Sequence, residues 1–243
     1  MLATSSQAAI LAIVTDIEGT TTDIEFVSKV LFPYAAARLP DFIRTYEKQP
    51  QVAAELQAVR SLLAEPDASL EAVISQLLEW IRTDQKVTPL KSLQGMVWRF
   101  GYQNGDFHGH LYQDVAPCLQ QWRQQGIALY VFSSGSVAAQ QLLFGHSIAG
   151  DLTPLFSGYF DTRTGAKQQP AAYQAIRQQL GLPAQQILFL SDVLAELDAA
   201  AADGWQTMQL RRNGQATGVH PVAANFYQVS QWIGARHEPA VTV

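Results

Sequence analysis

Four continuous apolar runs divide this chain, and each ends in turn residues. The runs are residues 8–17, IALYVF at 127–132, ILFLSD at 187–192 and TMQL at 207–210, with a shorter strand candidate around Tyr159. Continuous apolar runs are typical of parallel strands that are buried on both faces. Because the runs alternate with amphipathic segments, the pattern predicts an α/β fold in which helices cover a parallel sheet through right-handed crossovers.

The stretch from about Phe26 to Asn104 has a different pattern. Its apolar positions recur at helical spacing, including 52–63, 70–81 and a segment that opens at Pro89. Proline is well suited to the first turn of a helix. No strand-like run interrupts this stretch, and it follows only the first strand, so the pattern predicts one all-helical insertion.

These patterns divide the chain into structural parts. We expect an α/β core made of residues 1–24 and 111–231, with a helical cap formed by residues 25–110. The last residues, 232–243, are predicted to form a loose C-terminal tail.

Acidic residues and hydroxyl groups follow the predicted strands directly. Because the carboxyl ends of parallel strands meet at one edge of a sheet, we expect these side chains to share a cleft. The residues in these positions are Asp16, Glu18, Ser133, Ser134 and Asp192.

Two neighbouring carboxylates can divide the work of phosphoryl transfer. Asp16 ends the first run, and Gly19 allows the backbone to turn so that Asp16 and Glu18 reach the same cleft. One carboxylate can attack phosphorus while its neighbour moves protons.

The remaining candidates can bind phosphate or a cation. Hydroxyl and N–H groups of Ser133 and Ser134, at the start of a helix, can hold a phosphate oxygen. Lys167, in TGAKQQP, can neutralise charge on a transferring phosphoryl group. Asp192 can complete an oxygen site for Mg²⁺.

Each candidate also has a purely structural interpretation when it is taken alone. Ser134 or Ser136 can cap the following helix, and Lys167 can be a solvated surface lysine. Asp192 can cap its helix as well, with Glu196 favourable in the first turn. For the chain to have no site, however, these structural interpretations would all have to hold at once, at three strand ends and one loop. The combination therefore favours a functional site.

Composition and charge narrow the possible functions. The net charge is −5, and Lys and Arg are scattered along the chain, so nucleic acid is not the expected main partner. Cys118 is the only cysteine, so no intrachain disulfide can form and we expect a cytoplasmic protein.

The apolar stretch before Asp16 is interpreted as a core strand and not as a signal peptide. No stretch approaches the roughly 20 apolar residues of a membrane span, so we expect no membrane insertion. No heptad seam is present either, and we expect a monomer.

The order of these motifs resembles the signature of the haloacid dehalogenase superfamily, which has a Rossmannoid core and an inserted cap. The resemblance rests on DIEGTTT, VFSSGS, the Lys167 segment, FLSDVLAEL and the helical insertion after the first motif. It implies that Asp16 is a nucleophile that becomes an aspartyl-phosphate. It also implies that Ser133, assisted by Ser134, and Lys167 bind the phosphoryl group of a small-molecule substrate.

By the same resemblance, Asp16, Glu18 and Asp192 form the Mg²⁺ site. The sequence departs from the usual superfamily pattern at one position of this set. Glu18 stands where most phosphatases of the superfamily have aspartate.

That departure resembles the enolase-phosphatase family in particular. The stretches SSGSVAAQQLLFGHS, GHLYQDVAP, WRFGYQNG and YFDTRTGAK are also similar to that family. The resemblance implies a methionine-salvage activity that converts 2,3-diketo-5-methylthiopentyl-1-phosphate, through its enol phosphate, to 1,2-dihydroxy-3-keto-5-methylthiopentene and phosphate. The product is an acireductone.

Several alternatives remain open at this stage. The base for enolisation is Glu18, or a group such as His108 or Tyr102. The runner-up function is another capped phosphatase that acts on a sugar phosphate or phosphoglycolate. A phosphoacceptor receiver domain would share the acidic pair, the hydroxyl and the lysine, but the long helical insertion argues against it.

Overall fold

The computed structural model describes residues 8–214 and 216–237 of the chain. Within them, the chain divides into two compact units. One unit contains the described residues up to Ile24 and those from Gly109 onward, and the other consists of Glu25–His108.

A six-stranded sheet forms the centre of the first unit. The strands are β1 (Ala12–Thr15), β2 (Ala128–Phe132), β3 (Gly158–Phe160), β4 (Ile187–Ser191), β5 (Gln206–Leu210) and β6 (Val222–Ala223). Their order is β3-β2-β1-β4-β5-β6, and all neighbours are parallel. The predicted parallel sheet is therefore confirmed. Strand β1 is shorter than the apolar run around it, and the chain enters a tight turn at Ile17 soon after the strand ends.

Helices complete both units. They are α1 (Ile24–Phe26), α2 (Phe32–Tyr46), α3 (Pro50–Leu63), α4 (Leu70–Arg82), α5 (Thr88–Asn104), α6 (Val115–Gln124), α7 (Val137–Gly145), α8 (Pro170–Leu180), α9 (Leu194–Ala202) and α10 (Phe226–His237). A π-helical segment, Val27–Leu31, joins α1 to α2. The unit Glu25–His108, all of which is described, contains helices and no strand. None of the helices in the described residues combines the length and the apolar character that a membrane span requires.

Aromatic packing fixes the sheet against α8 in the first unit. Tyr173 on α8 makes edge contacts with Phe132, Phe189 and Trp205, at ring-centroid distances of 5.7, 5.1 and 5.5 Å. All four side chains are buried. Burial of such large apolar surfaces is the main favourable contribution to folding, and it holds the carboxyl ends of β2 and β4 in fixed positions.

The predicted C-terminal tail differs from the structure. Residues 232–237 belong to α10, and the tail prediction is wrong for them. Val229 and Ile233, one helical turn apart, are both buried, and this apolar face holds the helix on its unit. Residues 238–243 of the predicted tail lie outside the described residues, as do residues 1–7 of the predicted core.

The register of the central strands places the site. Thr15 at the end of β1 pairs with Val131 on β2 and with Leu190 on β4. The residues that follow these three strands therefore leave the sheet at the same level. This alignment brings Asp16 to the edge at which Ser133 and Asp192 also emerge.

Candidate active site

A cavity of about 160 Å³ lies at this carboxyl edge of the sheet. The six residues that the sequence assigned to catalysis, phosphate binding or Mg²⁺ binding all line it, so the structure brings this set together. The predicted residues are Asp16, Glu18, Ser133, Ser134, Lys167 and Asp192. The rest of the lining comes from Ile24, Val193 and Glu196.

Lys167 is the centre of the charge network in the cavity. Its ammonium donates to Asp16 Oδ1 and lies 2.7 Å from Glu196 Oε2. All three side chains are buried. Ser191 Oγ donates to the same Glu196 oxygen over 2.9 Å, which ties this carboxylate to the end of β4. A buried ammonium that contacts two carboxylates compensates one of their two negative charges.

The network determines the protonation of the lysine. Burial alone would lower the pKa of Lys167, but the charges of Asp16 and Glu196 outweigh it and raise the pKa above its usual value. Lys167 is therefore an ammonium at neutral pH. Burial and the charge of Asp16 raise the pKa of Glu196, although Lys167 opposes them. The lysine can thus donate to phosphoryl oxygens and does not act as a base.

The loop after β3 holds Lys167 from its backbone side. Tyr173 on α8 donates its hydroxyl to the carbonyl of Lys167 over 2.7 Å. Gly165 allows a close approach to α8, because a Cβ there would lie 2.8 Å from Ala172 Cβ. The ammonium also lies 5.8 Å from the centre of the Phe132 ring. The position of the cation is therefore set by the core and not by solvent.

The serine cluster after β2 separates into a cavity group and a helix cap. Ser133 is buried, and its Oγ accepts from the N–H of Gly135 over 3.2 Å, which leaves its O–H available to donate. Ser134 is exposed and lines the cavity. Ser136 caps α7, because its Oγ accepts from the N–H of Ala139. The capping interpretation therefore holds for Ser136.

A tight turn carries Glu18 into the cavity. The carbonyl of Ile17 accepts from the N–H groups of three successive threonines, Thr20, Thr21 and Thr22, over 2.9–3.1 Å. Gly19 within the turn has a φ of +75°, which favours glycine. Glu18 is exposed at this point and lines the cavity.

The carboxylate of Asp192 fits a role as a cation ligand. Burial and the charge of Asp16 raise the pKa of Asp192 to about 6. Its Oδ1 atom is buried and accepts no hydrogen bond within the described structure. An oxygen without a donor, among other carboxylates, is the type of ligand that Mg²⁺ binds. Among the described residues, however, no three His, Cys, Asp or Glu side chains are arranged to hold a metal by themselves.

Sequence reasoning missed the part that Glu196 takes in this site. It gave Glu196 only a favourable position in the first turn of a helix, whereas the structure pairs Glu196 with Lys167 in the cavity. The signal was its spacing. Glu196 lies in the first turn of α9, which begins three residues after the end of β4, so it stays close to the strand end that carries Asp192.

Comparison with known proteins identifies the family. The haloacid dehalogenase-like hydrolase family matches residues 10–204 of the chain. Enolase-phosphatase E1 of Pseudomonas syringae pv. tomato is 58% identical over 217 residues, which cover 89% of this chain and 96% of that protein. Enolase-phosphatase E1 of Pectobacterium atrosepticum is 56% identical over 221 residues, which cover 90% and 96%. The chain belongs to the enolase-phosphatase family of haloacid dehalogenase-like hydrolases.

A solved structure extends the similarity to three dimensions. The UTR4 protein of Saccharomyces cerevisiae is 32% identical to this hydrolase, with a TM-score of 0.77, and the alignment covers 89% of this chain and 98% of that one. The resemblance drawn from the motifs is confirmed: this hydrolase is an enzyme, a phosphatase. The alternative of a receiver-type signalling module is therefore set aside.

Proposed function

We propose that this phosphatase is the enolase-phosphatase of methionine salvage. It converts 2,3-diketo-5-methylthiopentyl-1-phosphate to its enol phosphate and then to 1,2-dihydroxy-3-keto-5-methylthiopentene and phosphate. The relatives named enolase-phosphatase E1 support the substrate, since they match almost the whole chain. The observation that carries the chemistry is the contact of the Lys167 ammonium with the Asp16 carboxylate, inside a cavity that also holds Glu18.

Phosphoryl transfer uses Asp16 as the nucleophile. A carboxylate oxygen of Asp16 forms a bond to phosphorus as the bond from phosphorus to the substrate oxygen breaks, which gives an aspartyl-phosphate. Lys167 and the Ser133 hydroxyl donate to the phosphoryl oxygens and compensate their charge. Glu18 protonates the leaving oxygen and later takes a proton from the water that hydrolyses the aspartyl-phosphate.

The charge of the cavity calls for a cation. Its lining carries four carboxylates, those of Asp16, Glu18, Asp192 and Glu196, and the single ammonium of Lys167. If all five were ionised, their formal charges would sum to −3, which would repel a phosphate ester.

Mg²⁺ fits this set of ligands. Asp16 and the hydrogen-bond-free Oδ1 of Asp192 would bind it, and Glu18 would supply a further oxygen. Mg²⁺ is usually bound through one or two carboxylates and keeps several waters, so a cage of three acidic side chains is not required. When bound, the ion would supply charge compensation for phosphoryl transfer and polarisation of the substrate carbonyl.

Enolisation requires a base for the carbon that bears the phosphate. We assign this role to Glu18, because it lines the same cavity as the nucleophile. Tyr102 belongs to the helical unit, where it is buried, and burial raises its pKa well above the ordinary value. A tyrosine in that state is neutral near pH 7 and therefore a poor base. His108, the other group considered as the base, also belongs to the helical unit.

The apolar part of the substrate has a matching surface in the cavity. Ile24 and Val193 line it together with the charged residues, and both are exposed. A methylthio chain that covers these side chains would remove apolar surface from water, which favours binding. A sugar phosphate or phosphoglycolate offers no such chain. This favours the diketo phosphate over the alternative substrates.

The decisive experiment follows phosphate release and acireductone absorbance from the diketo phosphate. We expect release in the presence of Mg²⁺, loss of release with EDTA, and no release from Asp16→Asn. In Glu18→Gln we expect both enol formation and phosphate release to fall. Release from simple phosphates, but none from the diketo phosphate, would keep the phosphatase and exclude the proposed substrate. Unchanged enol formation and release in Glu18→Gln would exclude Glu18 as the base.

A cytoplasmic setting fits a chain whose single cysteine requires no oxidising compartment. We propose a cytoplasmic enzyme with a small-molecule phosphate as its partner, and a monomer as its oligomeric state. Sedimentation at the 26.7 kDa of one chain would agree with the monomer.

A further inference from the structure

An arginine from the end of β5 holds the turn that follows β1. The Nε and Nη2 atoms of Arg212 both donate to the carbonyl of Thr20, over 3.0 and 2.8 Å. The next carbonyl, that of Thr21, accepts from the N–H of Tyr112 over 3.1 Å. Two successive carbonyls of the turn are therefore fixed by residues outside it.

Arg212 is itself fixed on the side away from the turn. Its Nη1 donates to both carboxylate oxygens of Asp114, over 2.9 and 2.8 Å, and both side chains are buried. Asp114 also accepts from the N–H of Phe226 over 2.6 Å. The guanidinium lies over the ring of Tyr112, at 4.3 Å from its centroid. The planar fork of arginine can hold a carboxylate and a carbonyl together, which a lysine cannot do.

The turn that Arg212 holds controls two groups of the cavity. Glu18 precedes Thr20 by two residues, and Gly19 between them packs directly on Asp192. A Cβ at Gly19 would lie 2.4 Å from Asp192 Oδ2. A shift of the turn therefore moves Glu18 and disturbs the carboxylate of Asp192 at the same time.

We infer that Arg212, held by Asp114, is a positioning residue for the reaction. It does not line the cavity. It acts through the carbonyl of Thr20. By fixing this carbonyl, Arg212 sets the position and orientation of Glu18 relative to Asp16 and Asp192. This inference rests on the proposed roles of Glu18 and Asp192.

The test is Arg212→Lys in the full-length enzyme with Mg²⁺. Lysine keeps the charge beside Asp114 but cannot also hold the Thr20 carbonyl through two donors. We expect kcat to fall about 10- to 100-fold with KM within about threefold of wild type, because a misplaced catalytic group costs rate more than it costs binding.

A matched control separates positioning from general stability. Arg177 and Asp203 form a comparable ion pair in the same unit, over 2.7 and 3.2 Å, without contact to the turn. Arg177→Lys should also lower the Tm, by less than Arg212→Lys because the Arg177 side chain is more exposed, and should leave both kinetic constants unchanged. Equal kinetic constants in Arg212→Lys and Arg177→Lys, or a rise in KM alone in Arg212→Lys, would overturn the inference.

Asp114→Asn gives an independent test if Arg212→Lys does not fold. The amide oxygen still accepts from Phe226 but offers Arg212 one acceptor in place of two. We expect a smaller fall in kcat with KM unchanged, and a wild-type kcat would contradict the inference. The kinetic constants of all variants are measured with a phosphate ester that the wild type hydrolyses. Failure of the wild type on the diketo phosphate would thus reject the proposed substrate without deciding the role of Arg212.

Discussion

Gly19 is constrained at the level of the single residue by its backbone and by its neighbour. Its φ of +75° lies in the left-handed region, where a side chain adds strain. Its Cα hydrogen faces Asp192, and the 2.4 Å approach leaves no room for a methyl group. The first constraint concerns stability, whereas the second concerns the geometry of the site.

Gly19→Ala should therefore lose activity beyond its effect on stability. We expect kcat/KM to fall at least about tenfold, because the methyl group displaces the Asp192 carboxylate from its place in the cavity. The control is Gly126→Ala, at a φ of +83° with open space around the added Cβ. Gly126→Ala should lose about 1 kcal/mol of unfolding free energy in urea and keep wild-type kinetics, and Gly19→Ala should lose at least as much. Full activity in Gly19→Ala would show that the contact with Asp192 is not needed.

The start of α7 shows how a helix is fixed beside the site. Ser136 Oγ accepts from the N–H of Ala139 over 3.3 Å, and Asp161 accepts from the N–H of Val137 over 3.3 Å. These two acceptors satisfy N–H groups that a helix leaves unpaired in its first turn. The helix is thereby anchored both to its own cap and to the loop after β3.

Ser136→Ala should affect the helix and not the chemistry. We expect a loss of about 0.5–1 kcal/mol in unfolding free energy, because Asp161 still holds one N–H group. Urea denaturation measures this loss, and phosphate release should stay at the wild-type rate. Ser133→Ala is the contrasting variant, and its kcat/KM should fall. A comparable fall in Ser136→Ala would mean that Ser136 contacts the phosphate.

The carboxylates that gather in the cavity affect the stability of the whole molecule. The pKa of Asp192 is raised to about 6, mainly by burial and by the charge of Asp16. A carboxyl group whose pKa is raised by folding is less stable as an anion in the folded state than in the unfolded state. Above pH 6, ionised Asp192 therefore lowers the free energy of unfolding in the absence of a cation.

Asp192→Asn should be at least as stable as the wild type without metal at pH 7.5. We expect a gain of about 1 kcal/mol, less than the full pKa shift would give, because the side chain is only half-buried. Mg²⁺ should raise the Tm of the wild type and leave that of the variant unchanged, since ligands stabilise the state that binds them.

Asp67→Asn, which removes an exposed aspartate of the helical unit, should respond to Mg²⁺ as the wild type does. An equal Mg²⁺ response in Asp192→Asn would contradict a role for Asp192 as a ligand. A clearly lower Tm for metal-free Asp192→Asn would contradict the argument from charge.

The sequence alone was sufficient for the fold class and for most of the cavity. Parallel strands place their carboxyl ends together, so the sequence alone predicts that residues directly after strands, such as Asp16, Ser133 and Asp192, share one cleft. Lys167 follows no strand directly; its charge made it a candidate, and the family motifs supported that role. Local order along the chain was enough for these residues, because their position depends on the register of a regular sheet.

Only the tertiary structure decided the contacts that no local pattern encodes. Lys167 meets Asp16 across 151 positions of sequence, and Arg212 meets Thr20 across 192. Glu196 was assigned to a helix turn because its partner comes from a distant loop. The C-terminal helix through Ile233 was missed because its burial depends on the unit that it covers. In each case a buried charge or a buried apolar face is stabilised by contact with a partner that is distant in sequence. Which residue becomes that partner is decided by packing in three dimensions.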